Sequence, residues 1–282
     1  MSESDYSSIE HFKVSFPVEY VAHVEINRPQ KMNAFIEIMW LNLKKIFDRL
    51  SDDPNVRAIL FSGAGDRAFS AGLDVQAASQ GGTLQTEASD VARKARKMRA
   101  HVIEFQDCIS SLEACSKPVI ALLHGVSYGL AIDMAAACDI RIACTNLRAS
   151  VKEVDIGLAA DIGSLTRLPK IVGSFSWVKE VALSAREFGA IEAEKVGLVS
   201  RVVDGGRAEG VKVGLEMCGL IAQKSPVAVW GTKEILNWSR ERGVDDGLKF
   251  TAIWNAAMLQ TDDVKAALLS GIQKRKAKFE KL

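Results

Sequence analysis

Three short and almost wholly apolar runs, VRAILFSG (56–63), PVIALLHG (118–125) and DIRIAC (139–144), recur along the chain with helical patterns between them. Strands buried on both faces read as continuous apolar runs, and such strands are joined through helical crossovers. This feature restricts the chain to an α/β domain with a largely parallel sheet. Between the runs, Ile38, Met39, Leu41, Leu43, Ile46, Phe47 and Leu50 recur at helical spacing. An amphipathic helix is predicted from about Asp90 to Leu112, and a buried one from Tyr128 to Ala137. FKVSF and YVAHVEINR predict a paired set of strands ahead of these, and short strands are expected near SVKEV and at LVSRVVD (198–204). The small, polar stretch 77–89 predicts a loop. Helices at 208–223, 226–242, 245–260 and 262–278 complete the chain. The expected division is a core over residues 1–205 and a helical C-terminal subdomain over 206–282.

Charge narrows the function classes. Of 282 residues, 36 are Lys or Arg and 35 are Asp or Glu, a net charge of +1. No global field is present to hold nucleic acid or a lipid surface. With 48% hydrophobic residues the chain has material for a large core, which excludes disorder as its main state. The five cysteines form no C-x-x-C pair and sit in apolar runs, as free thiols in a reducing compartment do, and no metal site is expected. No apolar stretch is long enough to span a bilayer. The start, MSESDYSSIEHF, resembles neither a secretory signal nor a transit peptide. Glu280-Lys281-Leu282 approaches the S-K-L peroxisomal address, with Glu in place of a small residue. The expected compartment is therefore peroxisomal, with cytoplasm and mitochondrion as alternatives.

Two motif matches fail in context. GAGDRA (63–68) satisfies the dinucleotide fingerprint, but FSAGLD follows it where a helix should open toward a pyrophosphate. GVSYG (125–129) matches a nucleophile elbow, yet all four histidines, His11, His23, His101 and His124, precede Ser127. A hydrolase of that type needs its base after the serine. Ser127 is read as a small residue in a tight turn.

Three carboxylates lie in apolar company: Asp133 in LAIDMAAA, Glu153 in SVKEVDIG and Asp161 in GLAADIGSL. Burial of such a group is costly unless it is paired or functional. Each has a plain structural alternative. Asp133 pairs with Arg141 or Arg167, Glu153 is a strand residue facing water, and Asp161 caps the helix IGSLTRL. Two glycine-rich turns, FSAGLD (69–74) and HGVSYGLAID (124–133), each follow a strand, and the second opens a helix. Converging backbone N–H groups there would form an oxyanion hole. Carboxylates beside such a hole, with no nucleophile, point to proton transfer through an enolate rather than acyl transfer.

HVEINRPQKMNAF, FSGAGDRAFSAGLD, KPVIALLHGVSYGLAIDMAAACDIRIA and VKEVDIGLAADIGSLTRLPKIVG, in this order, resemble the successive signatures of the crotonase (enoyl-CoA hydratase/isomerase) superfamily. The likeness runs from about residue 12 to the tail TDDVKAALLSGIQKRKAKF. The resemblance implies a spiral of ββα units with a helical C-terminal trimerisation region, an acyl-CoA thioester as substrate and assembly as a homotrimer or homohexamer. It implies no cofactor, coenzyme A being part of the substrate. Two glutamates hold a water in the hydratases, and their counterparts here are Asp133 and Glu153. AIDMAAACDIR, VKEVDIGLAAD and WNAAMLQTDD look like the dienoyl-CoA isomerases, which convert 3,5-dienoyl-CoA to 2,4-dienoyl-CoA and carry an acid in the pocket at the position of Asp161.

On that resemblance Glu153 serves carbon 2 of the substrate and Asp161 carbon 6, with the reverse order as the other reading, and Asp133 assists by orientation and charge. The N–H groups of Leu73 and Leu130 hold the thioester oxyanion. Leu130 departs from the family, which commonly has glycine there. Ala71, Gly72, Asp74 and Val75 line the adenine end of coenzyme A. The basic tail Lys274, Arg275, Lys276 and Lys278 reads as a solvated helix end favoured by the dipole, with a reach to CoA phosphates as the other reading. Two competing functions are an enoyl-CoA hydratase and a crotonase-fold binding protein without activity.

Overall fold

The computed structural model describes residues 6–80 and 88–282. The chain opens with β1 (Phe12–Val18) and β2 (Val21–Ile26), paired antiparallel, followed by α1 (Glu37–Asp52). The core continues through β3 (Ala58–Gly63), β4 (Ala68–Ser70), α2 (Val75–Gln80), α3 (Val91–Ala114), β5 (Val119–Leu123), β6 (Val126–Tyr128) and α4 (Leu130–Ala137). After it come β7 (Ile140–Cys144), β8 (Arg148–Ser150), a 3-10 turn (Glu153–Ile156), α5 (Ser164–Ile171), α6 (Phe175–Ser184), α7 (Ala190–Lys195) and β9 (Arg201–Val203). The last four elements are α8 (Arg207–Ala222), α9 (Pro226–Ser239), α10 (Val244–Met258) and α11 (Asp262–Ile272).

The strands fall into two sheets. One has the order β1-β2-β3-β5-β7-β9 and is parallel apart from β1, and the other has the order β4-β6-β8 and is parallel throughout. Consecutive pairs β3–β4, β5–β6 and β7–β8 each give one strand to the large sheet and the next to the small one. The chain therefore winds forward by repeated ββα units, as the alternation of apolar runs and helices requires.

Burial explains each piece. Strands β2, β3 and β5 are buried at every position, consistent with their unbroken apolar sequence. Helix α1 buries Met39, Trp40, Leu43, Ile46, Phe47 and Leu50, at about 1.5–3 kcal/mol for each large side chain. Trp40 stacks on Phe105 of α3, with ring centroids 4.0 Å apart. The opposite face of the large sheet is covered by α8, whose Cys218 and Ala222 pack against Leu60, Ile120, Leu122 and Ile142. All five cysteines are buried free thiols. Among the described residues, no helix is long and apolar enough to cross a membrane.

Several expectations shift. Positions 77–80 of the expected loop are helical, because Asp74 caps α2 by accepting the Ala77 N–H at 3.1 Å. Residues 81–87 of that loop lie outside the described residues. The strand expected near SVKEV ends at Ser150, and Glu153 opens a 3-10 turn instead. Tyr128 belongs to β6, not to the helix after it. The last helix stops at Ile272 rather than at 278, where Gln273 caps it and Lys274 turns into the left-handed region (φ 50°). GAGDRA leads into a strand, as its rejection as a dinucleotide site anticipates.

Candidate active site

The small sheet brings the two glycine turns together. Gly72 (φ +89°) follows β4, and Gly129 (φ +55°) follows β6 and precedes α4. Both conformations are rare for residues with a side chain. A Cβ added to Gly72 would lie 2.7 Å from the Tyr128 carbonyl oxygen and 3.6 Å from the Leu130 nitrogen, so the turns touch. The first turn is fixed from outside: Phe35 N–H donates to Gly72 O and Asp74 N–H donates to Phe35 O, both at 2.8 Å. This leaves the Leu73 and Leu130 N–H groups with no acceptor among the described residues. Leu130 is the first residue of α4, where the helix leaves its N–H groups free and carries partial positive charge.

The carboxylates gather next to these amides. Glu153 reaches back toward the second turn, its Oε1 lying 3.1 Å from where a Cβ on Gly129 would stand. A side chain at 129 would press on that oxygen. Oε2 of Glu153 is buried and has no hydrogen-bond partner among the described residues. Burial first, and then the negative charges of Asp133 and Asp161, push the Glu153 carboxyl up to about 7.

Asp133 sits one helical turn beyond Leu130 and is 1% exposed. Its Oδ1 accepts both the N–H and the hydroxyl of Ser164, each at 2.6 Å. Burial pushes its carboxyl up to about 6; the two Ser164 bonds oppose that rise, the Asp161 charge adds to it and Arg167 offsets part of it. The ion pairs considered for Asp133 do not form. Arg141 spends its guanidinium on the carbonyls of Leu198, Ala135 and Cys138. Arg167 bonds Glu113 and Ser110.

Asp161 differs from its expectation in two respects. It does not cap α5, whose N-cap is Gly163 and whose first N–H is taken by Asp133 from α4. It is also exposed in the single chain rather than enclosed. It stands on the rim of a cavity of about 850 Å3 that it shares with Gln106, Glu113, Arg167 and Arg240. The reason is local: Gly157, in the left-handed region, ends the 3-10 turn, and the chain then runs along the outside until Ile162. Even so, the Asp161 charge acts on both Glu153 and Asp133, so the three acids share one electrostatic neighbourhood. The backbone carbonyl of Asp161 accepts a hydrogen bond from Gln106 Nε2 at 2.5 Å.

The segment expected to meet coenzyme A is partly committed to the fold. Ala71 N–H donates to Met32 O, and Gly72 N–H donates to Ser70 Oγ. The Asp74 carboxylate accepts Arg28 Nη1 at 2.7 Å and the Ala77 N–H, which holds it below the usual carboxylate range. Its side chain is thus internal, and its main chain is engaged as well, the N–H donating to Phe35 O and the carbonyl accepting the Ala78 N–H. Val75 is exposed. The rejected elbow stays rejected: Ser127 is buried in β6, and His124 Nε2 faces the Gly65 carbonyl at 2.9 Å.

Ser164, Gln106 and Arg28 were not singled out from the sequence. Their partners lie 31, 55 and 46 positions away. A hydroxyl at the start of the helix IGSLTRL was the only local sign.

Residues 18–281 match the profile of the family described as enoyl-CoA hydratase/isomerase. The mitochondrial Delta(3,5)-Delta(2,4)-dienoyl-CoA isomerase of Mus musculus is 40% identical over 286 residues, covering 100% of this chain and 85% of that protein. The peroxisomal protein of that name from Arabidopsis thaliana is 40% identical over 262 residues, 93% of each chain. An enoyl-CoA hydratase of Bacillus anthracis superimposes with a TM-score of 0.86 over 96% of this chain and 99% of that one, at 24% identity, a likeness of fold.

Proposed function

Because the chain belongs to the enoyl-CoA hydratase/isomerase family, we propose that it is an isomerase converting 3,5-dienoyl-CoA to 2,4-dienoyl-CoA in the β-oxidation of unsaturated fatty acids. The full-length identity to proteins of that name supports the reaction. The observation that carries it is the third carboxylate: Asp161 stands on its own loop, apart from the half-buried Glu153 and the buried Asp133, and its charge adds to the rise of both. A single-site proton exchange or a water addition needs no such distant acid. A shift of two double bonds does.

In the proposed mechanism the thioester oxygen accepts hydrogen bonds from the Leu73 and Leu130 N–H groups. Glu153 removes a proton from carbon 2, and the electron pair left behind delocalises over the thioester oxygen and along the diene to carbon 6. Asp161 delivers a proton to carbon 6, which leaves double bonds at carbons 2 and 4. Glu153 is assigned to carbon 2 because its Oε1 lies against Gly129, next to the Leu130 donor that would bind the adjoining carbonyl. A carboxyl near 7 is populated in both protonation states at neutral pH, as a group that takes up and releases a proton must be. Asp133 supplies charge and orientation. Each oxyanion donor is worth about 3 kcal/mol of transition-state stabilisation. The relay uses no group beyond side chains and amides of the chain, and coenzyme A arrives with the substrate, bound along Ala71 to Val75.

The test sets 3,5-octadienoyl-CoA beside crotonyl-CoA in a spectrophotometric assay. Rapid formation of the conjugated 2,4-dienoyl thioester, abolished in Asp161→Asn with the fold intact, is the expected result. Robust hydration of crotonyl-CoA without diene shift would replace the reading with that of a hydratase.

Assembly and compartment belong to the same proposal. The C-terminal helices leave Leu236, Val244, Leu248, Ile253 and Leu268 exposed, an apolar face suited to a second and third copy of the chain. Light scattering of the purified protein decides between trimer and hexamer. Since relatives are named mitochondrial and peroxisomal, imaging of the protein in cells with an antibody decides the organelle.

A further inference from the structure

We infer that Ser164 and Gln106 are positioning residues that fix the span between the oxyanion donors and Asp161; the inference rests on the isomerase reading and deepens it. Residues 157 to 161 carry little packing of their own, being exposed apart from a half-buried Ala160. Two attachments bracket the acid. Its own carbonyl is bonded by Gln106 of α3 at 2.5 Å, and three positions on, Ser164 gives both its N–H and its hydroxyl to Asp133 Oδ1 at 2.6 Å. Ser164 and Asp133 are both buried. Asp133 stands one turn from Leu130 on the same helix, so Leu130, Asp133, Ser164 and Asp161 form one connected path between the two ends of the relay.

The substrate makes this path consequential. A conjugated dienolate is planar, so torsions of the chain between carbons 2 and 6 cannot make up for a misplaced acid. Displacement of a reacting group by about 1 Å costs on the order of 100-fold in rate. The placement of Glu153 depends on neither attachment: it is held by the 3-10 turn and lies against Gly129. Loosening the brackets should therefore uncouple the two proton transfers rather than slow both.

The experiment measures two rates on 3,5-octadienoyl-CoA in deuterated water: exchange at carbon 2 and formation of the 2,4-diene. Ser164→Ala and Gln106→Met are each expected to lower diene formation about tenfold relative to carbon-2 exchange. Ser164→Thr, which keeps the hydroxyl, is expected to restore the ratio. An unchanged ratio, or an equal fall in both rates, would overturn the inference, since general loosening of the fold moves both together. Should Ser164→Ala fail to fold, Ser164→Cys, with similar shape and a weaker donor, is read the same way. Wild-type protein that exchanges carbon 2 yet forms no 2,4-diene removes the isomerase reading itself. Wild-type turnover with variants that keep its ratio removes only the positioning roles.

Discussion

Replacing Asp133 with Asn removes one negative charge while keeping the oxygen that accepts both Ser164 bonds, so it isolates charge from architecture. Glu153 is the group that should respond. Its carboxyl stands at about 7, raised by burial first and by the Asp133 charge second. With a midpoint there, about a tenth of Glu153 is ionised at pH 6 and about nine-tenths at pH 8. Because the ionised form is the base, kcat/KM for the diene shift should climb with pH through that midpoint. Loss of one like charge from a shared, poorly solvated site lowers a carboxyl by about one pKa unit, or about 1.4 kcal/mol. Asp133→Asn should therefore move the midpoint from near 7 to near 6. At pH 6 the variant would then have about half of its Glu153 ionised, where the wild type has about a tenth. Initial rates of diene conjugation across the range, at substrate far below KM, supply the profiles. A wild-type profile that is flat through neutrality, or an Asp133→Asn midpoint that stays in place or rises, would refute the electrostatic account.

The same carboxyl makes a statement about stability. Its folded-state value is raised above the ordinary one, so its stabilising contribution is complete below the unfolded value near 4.5 and is lost as pH rises to about 7. Glu153→Gln should raise the melting temperature at pH 8, by a gain of about 2 kcal/mol after allowance for the side chain's remaining solvent contact, and have little effect at pH 4; a calorimetric series across pH checks it. The variant should also lose turnover, the usual exchange of function for stability at an active site. Gly72→Ala places a methyl group 2.7 Å from the Tyr128 carbonyl at a φ of +89°. Displacement of the two donor turns should lower kcat by about 100-fold with the overall fold retained, measured by steady-state kinetics beside circular dichroism.

The parts of the molecule written in local patterns were readable in advance. Strands β3, β5 and β7 announce themselves as apolar runs because both of their faces are buried, and α1 does so through its periodic Met39, Leu43, Ile46 and Leu50. Strands β4 and β6 are three residues long, too short to establish a period, and exist as strands only because they pair with each other and with β8. For the site, an acid in apolar company was sufficient to mark Asp133 and Glu153, whose burial raises both. The same cue misjudged the surroundings of Asp161, because LAAD looks apolar whether the segment is enclosed or lies along a rim. Ser164 and Gln106 were out of reach for another reason: hydrogen bonds between elements distant in the chain leave no mark on the residues beside them.

The donors proposed at 73 and 130 are main-chain amides, and this would free their side chains from the chemistry. A leucine at 130 forfeits no such hydrogen bond, since the bond would never pass through a side chain. Variation at these two positions can then reshape the volume offered to different acyl tails while the catalytic amides stay put. A scaffold of this kind is able to diversify its substrates by exchanging residues at the very spot where most enzymes tolerate no exchange.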